Sequence, residues 1–200
     1  MELILIRHGE PVKIVDADGP ADPPLAERGR KQAERLAEYL GTEPVGAVWS
    51  SPMVRARETA APLATTLGVD VVVDAELAEY DREATSYIPI EELKANKDER
   101  WMAMVEGTFE DSGVDPLAFK QGVVTAMEHI ITGNPGGSVA VVCHGGVINA
   151  YLAHILGIDR PLWFEPKYTS IHRVLASRRG DRTLQALNET AHLRGTNLLV

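Results

Sequence analysis

The sequence predicts an α/β fold, a three-layer sandwich in which helices cover both faces of a mostly parallel central sheet. Short apolar runs typical of buried strands alternate with segments whose apolar residues recur at helical spacing. Several of the helical segments end at a glycine, the usual residue just beyond a helix C-terminus. Such alternation is typical of βαβ units. We expect the 200 residues to form a single domain spanning residues 1–200.

The first half of the chain contains three predicted strands and two predicted helices. A continuous apolar run that stops at Arg7 predicts the first strand, and a stretch rich in proline and aspartate predicts the loop after it. An apolar stripe that ends before Gly41 predicts the first helix. Ser51 and Pro52 are the residue types of an N-cap and a first helical position, so they predict the start of the second helix. The predicted strands are 2–6, 45–49 and 69–73, the loop is 11–24, and the helices are 25–40 and 51–67.

The second half begins with a predicted lid. Residues 80–115 lack a strand pattern, and we expect an inserted helical lid over approximately this range. The later run at 139–143 is apolar throughout, so we expect this strand near the centre of the sheet. The predicted helical pieces of the lid are 90–94 and 100–105, the later helices are 116–131 and 146–156, and the later strands are 169–177 and 183–188.

The charge of the chain is acidic and concentrated in one segment. There are 20 Lys and Arg against 29 Asp and Glu, for a formal net charge of −9. Residues 74–115 contain thirteen acidic and four basic residues, which accounts for the whole net charge. This composition argues against a general nucleic-acid partner, which requires a basic surface. The acidic segment is interpreted as a solvated helical surface with acidic loops, and its composition also distinguishes the lid from the scaffold.

The expected compartment is the cytoplasm. Cys143 is the single cysteine, so no intrachain disulfide is possible, which fits a reducing environment. No apolar run approaches the ~20 residues of a membrane span, and the opening apolar run is too short for a signal-peptide core. No membrane partner is expected, and the sequence leaves the oligomeric state open, a homodimer included.

Two histidines follow two predicted strands in the same way. His8 and Gly9 follow the first strand, and His144 and Gly145 follow the fourth. The carboxyl ends of parallel strands lie at one edge of a sheet, where ligands of such folds bind. If the two strands are neighbours, both imidazoles therefore meet in one crevice.

Positive charge is expected in the same crevice. Arg7 precedes His8, and Arg55 lies in the first turns of the predicted second helix. Gly145 and Gly146 open the helix after the fourth strand, whose free N–H groups favour an anion. A compact, multiply charged anion suits this set, and guanidinium groups match phosphate oxygens in pairs. The sequence therefore predicts a small phosphorylated substrate.

The motifs resemble those of the histidine phosphatase superfamily, also called phosphoglycerate-mutase-like. Arg7-His8-Gly9-Glu10 after an N-terminal strand resembles the first family motif, and the block at 50–60, with Arg55 inside it, resembles the second. The block at 143–148, with His144 inside it, resembles the distal histidine motif. A helix beginning Leu25-x-x-Arg-Gly-x-x-Gln32 also matches, and the resemblance covers most of residues 2–157.

The resemblance implies a mechanism that needs neither a metal nor another cofactor. It implies that His8 is a nucleophile that forms a phosphohistidine. It implies that Arg7, Arg55 and His144 hold the phosphoryl oxygens, and Gly145 and Gly146 are expected to help bind them. It also implies a proton donor after the third strand, for which Glu79 is chosen as general acid and then base. The neighbouring carboxylates Glu76, Asp81 and Glu83 stay open for that role.

Other enzyme classes fit the sequence less well. A cysteine phosphatase needs an Arg six residues after its Cys, but Asn149 occupies that position after Cys143. No P-loop pattern and no histidine pair with metal-ligand spacing occurs in the sequence. Within the family, the chain is compact and has Ile14 where relatives often carry Asn, which favours a phosphomonoesterase. A phosphoglycerate-mutase-type phosphoryl transfer and a non-catalytic anion-binding protein stay as alternatives.

The aromatic residues allow two interpretations. One group is interpreted as lid core rather than as a substrate box: Trp101, Met102, Met104 and Phe109. A second group could line either the pocket rim or a dimer contact: Trp163, Phe164 and Tyr168.

Overall fold

A computed structural model of the chain describes residues 1–106 and 114–199, and it confirms the predicted α/β architecture. Within these residues, one sheet contains six strands in the order β3-β2-β4-β1-β5-β6. Its strands are β1 Glu2–Arg7, β2 Val45–Ser50, β3 Val71–Val73, β4 Ser138–Cys143, β5 Ile171–Ala176 and β6 Arg182–Glu189.

The four strands that lead toward the site run parallel to one another. β4 lies between β1 and β2 and pairs in parallel with both, and β3 pairs in parallel with β2. In the β1–β4 register, Arg7 lies opposite Cys143, so both strands end at the same level. β5 and β6 are antiparallel and form a hairpin that ends the sheet.

Helices flank the sheet in the order that the sequence predicts. Six α-helices occur in the described ranges: α1 Glu27–Leu40, α2 Val54–Leu67, α3 Ile90–Ala95, α4 Glu99–Glu106, α5 Pro116–Gly133 and α6 Gly145–Leu156. Two short 3₁₀ helices, Ala75–Leu77 and Ala191–Leu193, complete the described helical segments.

Two apolar clusters lie on opposite faces of the sheet. Leu3 and Leu5 of β1 pack in one cluster with α5 and α6, whereas Ile4 and Ile6 pack in the other with α1 and α2. All four side chains are fully buried. Successive side chains of a strand point to opposite faces, so a strand covered on both faces must be apolar throughout. This is why the central strands appear in the sequence as continuous apolar runs.

The second helix begins at Val54, two residues after Pro52, the predicted first helical position. Ser51 and Pro52 precede α2, which starts at Val54 after Met53. The carboxylate of Asp22 accepts hydrogen bonds from the Val54 N–H at 3.0 Å, so the first loop supplies the cap from outside the helix. A capping oxygen from a distant loop leaves no local sequence pattern, which explains the error.

The lid contains the two helices that its sequence predicts. α3 and α4 fall close to the expected bounds, and residues 107–113 of the predicted lid lie outside the described residues. The first loop is attached to the lid, because Ile14 and Tyr87 exchange two backbone hydrogen bonds of 3.0 and 2.8 Å.

Within the described ranges, no helix has both the length and the apolar character that crossing a bilayer requires.

Close contact between two glycines seats the first motif on α1. A Cβ at Gly29 would lie 2.0 Å from the Glu10 carbonyl oxygen, and one at Gly9 would lie 2.7 Å from the Gly29 carbonyl oxygen. Real Cβ atoms do not approach backbone this closely, so neither position tolerates a side chain without backbone movement. The backbone after His8 is thus held against α1 by the absence of two side chains.

We expect Gly29→Ala to lower the free energy of unfolding by about 1–3 kcal/mol because the added methyl overpacks this contact. Thermal unfolding monitored by circular dichroism should show a Tm lower by several degrees. Gly133→Ala is the matched control, since a Cβ there would meet nothing within 4 Å. Equal Tm values for the two variants would contradict the packing argument.

Candidate active site

The carboxyl ends of β1 and β4 bring two histidines together. His8 donates its backbone N–H to the Cys143 carbonyl at 2.9 Å, which extends the strand pairing by one residue beyond β1. The ring centroids of His8 and His144 are 5.1 Å apart. Both side chains are buried, at 2% and 0% exposure. The predicted meeting of the two imidazoles therefore follows from the parallel pairing of their strands.

His8 is held in one tautomer by its own backbone. Its Nδ1 lies 2.7 Å from the Gly9 carbonyl oxygen, which can only accept, so Nδ1 carries the proton. The Nε2 of the neutral ring then keeps a free lone pair. Burial, together with the charges of Arg55 and Arg7, holds the pKa of His8 well below its usual range. An unprotonated, oriented ring nitrogen is what a nucleophile needs.

His144 is oriented by a serine from the second motif. Its Nε2 lies 2.7 Å from Ser51 Oγ, which also accepts the Met53 N–H at 3.2 Å. Ser51 therefore has a site contact rather than the predicted role of helix N-cap. Burial and the charge of Arg55 hold the pKa of His144 well below its usual range. When Ser51 donates its hydroxyl hydrogen to Nε2, the proton of the neutral His144 ring is on Nδ1.

Arg7 is fixed by three contacts on one side. It donates to the Pro166 carbonyl at 2.6 Å, stacks at 4.0 Å on the ring of Tyr168 and lies 3.7 Å from Glu91 of the lid. Tyr168 donates its hydroxyl to the same Glu91 at 3.0 Å. Arg7 is only 6% exposed. Tyr168, for which the sequence left two positions open, therefore supports the arginine of the first motif.

Arg55 is fixed in the same manner from the other side. It donates to Asp81 at 3.2 Å, lies 3.7 Å from Asp22 and stacks at 4.7 Å on the ring of Tyr87. Its α2 backbone is tied to the first motif through Thr59, whose hydroxyl donates to the Arg55 carbonyl at 2.7 Å. The same hydroxyl oxygen accepts the N–H of Gly9 at 2.9 Å.

Four nitrogen atoms in this cluster lack a hydrogen-bond partner. Across the described residues, six buried side-chain polar atoms have none, and four of them are Nε of Arg7, Nε and one terminal nitrogen of Arg55, and Nδ1 of His144. Buried polar groups are normally paired, because an unpaired donor costs about 1–3 kcal/mol. A group of nitrogens around His8 that has no protein acceptor is complementary to an anion with several oxygens.

Glu79 approaches the cluster from the segment after β3. Its Oε2 accepts the Gly146 N–H at 2.8 Å, and its Oε1 accepts the Tyr80 N–H at 3.1 Å. A Cβ at Gly146 would lie 2.2 Å from Glu79 Oε1, so this approach requires glycine there. Burial, with a smaller contribution from the charge of Asp81, raises the pKa of Glu79 to about 7.

The other three carboxylates considered for the acid role differ in position. Glu76 and Glu83 are exposed. Asp81 lines the same cavity as Glu79 but is paired with Arg55. Glu79 is the carboxylate of this set that combines burial, a raised pKa near neutrality and a position against the second glycine of α6.

A cavity of about 310 Å³ opens over these residues. Its floor contains Arg7, His8, Arg55, Glu79 and the glycines at the start of α6, and its upper wall contains Trp101, Trp163 and Phe164. The interpretation of Trp101 as lid core is therefore wrong, since it lines the cavity. Met102 of the same group is 48% exposed rather than core, and the Met104 side chain and Phe109 lie outside what is described. Trp163 and Phe164 line the cavity, as one of the two interpretations predicts, and the dimer contact stays a prediction.

Two supporting residues are missing from the sequence interpretation. Thr169 adopts φ +53°, which is strained for a β-branched residue, and its N–H donates to the Arg7 carbonyl at 3.1 Å. Asn149 donates to the carbonyls of Gly145 and Phe164 at 2.9 and 3.1 Å, and its Oδ1 accepts the Trp163 N–H at 3.0 Å. Thr169 begins a predicted strand and Asn149 lies in a predicted helix, but neither pattern signals these contacts, because each contact joins segments that meet only in the folded chain.

A metal centre has no counterpart in the described structure. Residues 1–106 and 114–199 contain no group of three or more His, Cys, Asp or Glu side chains placed to hold a metal ion. His172 and His192 are buried and bonded to Ser170 and Thr169, respectively, both at 3.0 Å. Cys143 is buried, as expected for a small apolar side chain.

Comparison with known proteins gives consistent results along nearly the whole chain. The family model of the histidine phosphatase superfamily (branch 1) matches residues 3–190. Phosphoserine phosphatase 1 of Hydrogenobacter thermophilus is 30% identical over 203 residues, covering 96% of this chain and 94% of the relative. Phosphoglycerate mutase-like protein 4 of Arabidopsis thaliana is 30% identical, covering 99% and 89%. The crystal structure of an Entamoeba histolytica phosphoserine phosphatase with 3-phosphoglyceric acid has a TM-score of 0.75 at 25% identity, covering 96% and 98%.

Inorganic phosphate should stabilise the folded protein, because it would accept hydrogen bonds from the unpaired nitrogens. We expect a Tm that rises with phosphate concentration, following the linkage between ligand binding and folding. Arg55→Met should remove most of this rise, whatever its own Tm. Arg57→Met, an exposed arginine on the same helix, should keep it. Thermal shift with and without phosphate measures both, and an equal loss in the two variants would contradict the assignment.

Proposed function

Because the chain belongs to branch 1 of the histidine phosphatase superfamily, we propose that it hydrolyses phosphate monoesters through a phosphohistidine on His8. The observation that carries the proposal is the group of unpaired buried nitrogens beside an imidazole whose Nε2 is free. A phosphoryl group supplies the missing acceptors and places phosphorus next to that nitrogen. Both arginines then stabilise charge that develops during transfer.

The first step transfers the phosphoryl group to the enzyme. His8 Nε2 attacks phosphorus, the bond between phosphorus and the ester oxygen breaks, and the leaving oxygen takes a proton from Glu79. The ring gains positive charge, which the Gly9 carbonyl stabilises through its 2.7 Å contact with Nδ1. A carboxyl group with a pKa of about 7 is suited to donate this proton near neutral pH.

The second step returns His8 to its starting state. Glu79, now a carboxylate, accepts a proton from a water molecule whose oxygen attacks phosphorus. The bond between phosphorus and Nε2 breaks, and phosphate leaves. One residue acts first as acid and then as base, which a pKa close to the working pH permits. Charge neutralisation by Arg7 and Arg55 is the reason we propose that no metal takes part.

Two other functions stay as alternatives. A mutase would pass the phosphoryl group from His8 to a second substrate instead of water, as the names of some relatives suggest for those proteins. A binding protein would hold phosphate without reacting. The presence of a neutral nucleophile and an acid with a raised pKa favours hydrolysis over mere binding.

We further propose a small molecule as substrate and the cytoplasm as compartment. The cavity volume is at the lower end of the range for small-molecule sites. The single, buried cysteine supports the cytoplasm. The net charge of −9 argues against nucleic acid as a partner. A homodimer stays open and enters neither chemical step.

His8→Ala should abolish phosphate release while leaving the fold intact, because it removes the ring nitrogen that forms the covalent intermediate. The assay uses alkyl and aryl phosphates in the presence of a chelator. Wild-type enzyme quenched during turnover of an ester labelled in its phosphoryl group should carry an acid-labile, alkali-stable label. His154→Ala, an exposed histidine on α6, is the control that should retain both activity and label.

The fate of the label separates the alternatives. Rapid loss of label to water supports the phosphatase. A label that persists until an acceptor alcohol is added would indicate the mutase. Phosphate-dependent stabilisation without label or turnover would indicate the binding protein, and activity that disappears with chelator would overturn the metal-free mechanism.

Protonation of Glu79 should produce a descending limb in the pH–rate profile for the first turnover of an alkyl phosphate. Below a pH of about 7 the carboxyl group is protonated and donates, and above it the rate should fall by up to about tenfold for each pH unit. Glu79→Gln should lower this rate by about 10²–10⁴-fold and remove the limb. With 4-nitrophenyl phosphate, the rate of the first-turnover burst of 4-nitrophenol should fall far less in Glu79→Gln, because 4-nitrophenolate leaves without taking a proton.

Asp81→Asn tests the neighbouring carboxylate. Removing its negative charge should lower the pKa of Glu79 and move the limb to lower pH without abolishing it. A limb that disappears in Asp81→Asn and persists in Glu79→Gln would transfer the acid role to Asp81.

A further inference from the structure

The outer half of the cavity is apolar, in contrast to its charged floor. The lid and the loop between α6 and β5 face each other here, and most of the side chains that they contribute are only half-buried. The apolar members of this wall include Ile88, Ile90, Leu93, Trp101, Trp163 and Phe164. When an apolar ligand covers half-buried apolar side chains around a cavity, the free energy of the complex is lowered, which favours binding.

The aromatic part of this wall is fixed before any ligand binds. The rings of Trp163 and Phe164 are 4.5 Å apart, and Phe164 also packs edge-on against His172 at 5.3 Å. The amide of Asn149 bonds to the backbone of both aromatic residues. A wall held by backbone contacts and ring stacking loses little conformational freedom on binding, which favours affinity for a rigid partner.

The polar groups of the outer cavity are largely engaged with the protein. Asn149 uses its amide oxygen and nitrogen on Gly145, Trp163 and Phe164. Glu165 pairs with Lys94 at 3.0 Å and lies 3.7 Å from Lys167. A carboxylate on the alcohol part of a substrate would lie among apolar side chains and near Glu165. Apart from Arg7 and Arg55 at the floor, Arg160 is the arginine of this lining.

We infer that this site selects phosphate monoesters whose alcohol part is apolar and about the size of one aromatic ring, rather than phosphorylated hydroxy acids or amino acids. The inference rests on the proposed function and names the substrate class of the same site. The phosphoryl group occupies the floor between Arg7 and Arg55, and the ring of the alcohol packs against Trp163 and Phe164.

The experiment compares primary alkyl phosphates, so that differences in leaving-group reactivity stay small. Wild-type enzyme is assayed with ethyl phosphate, 2-phenylethyl phosphate, phosphoserine and 3-phosphoglycerate. We expect kcat/KM for 2-phenylethyl phosphate to exceed that for ethyl phosphate by about tenfold or more, the effect of filling an apolar pocket. It should exceed the values for both acidic substrates by at least as much.

Variants of the wall test the origin of the preference. Trp163→Ala should lower kcat/KM for 2-phenylethyl phosphate about tenfold more than it lowers kcat/KM for ethyl phosphate, so the ethyl phosphate value reports any general damage. Trp163→Phe retains a ring and should retain most of the preference. Equal losses on both esters in Trp163→Ala would overturn the assigned contact.

The remaining outcomes separate the inference from the proposed function. Hydrolysis of phosphoserine or 3-phosphoglycerate that is faster than hydrolysis of 2-phenylethyl phosphate would overturn the inference and leave the phosphatase standing. Loss of that faster hydrolysis in Arg160→Ala would then assign the carboxylate contact to Arg160. Failure to release phosphate from any of the four esters would overturn the proposed function and the inference with it.

Discussion

The parallel pairing of β1 with β4 is the constraint on which the site depends. The register that sets Arg7 opposite Cys143 makes both strands end at one level, and the His8 N–H continues the pairing onto the Cys143 carbonyl. A slip of one residue would reverse the face to which each side chain points and separate the two imidazoles. The register is in turn held by apolar side chains on both faces of both strands, so the core and the site have one common cause.

Charge burial sets the chemical character of the site. Burial, together with the charges of Arg55 and Arg7, lowers the pKa of His8 and keeps it neutral, and the two nearly inaccessible arginines retain nitrogens without protein acceptors. Asp22 and Asp81 lie close to Arg55, and Glu91 lies close to Arg7, yet nitrogens of both arginines have no hydrogen-bond acceptor. The site therefore contains buried nitrogens without hydrogen-bond partners, and a ligand with several anionic oxygens is complementary to them.

Much of this arrangement could be predicted from the sequence, and the limits have physical causes. Apolar runs and glycine stops reveal strands and helices because they act locally, and the histidines after two strands reveal the site because parallel strands end together. The Asp22 cap, the Asn149 contacts and the strained Thr169 involve loops that meet only in the folded chain. Trp101 was misinterpreted because an apolar side chain has the same sequence pattern whether it faces a core or a cavity.

The site is divided between two kinds of structural support. The chemical floor is built on strand ends, helix starts and the contact of Gly9 with Gly29, where a changed side chain disturbs the backbone itself. The upper wall belongs to lid helices and a loop outside the sheet, where a substitution changes shape and polarity with little effect on the core. Such a division allows enzymes that descend from one ancestor to differ in substrate specificity while they share a reaction. A relative's name is therefore a better guide to the chemistry of this chain than to its substrate.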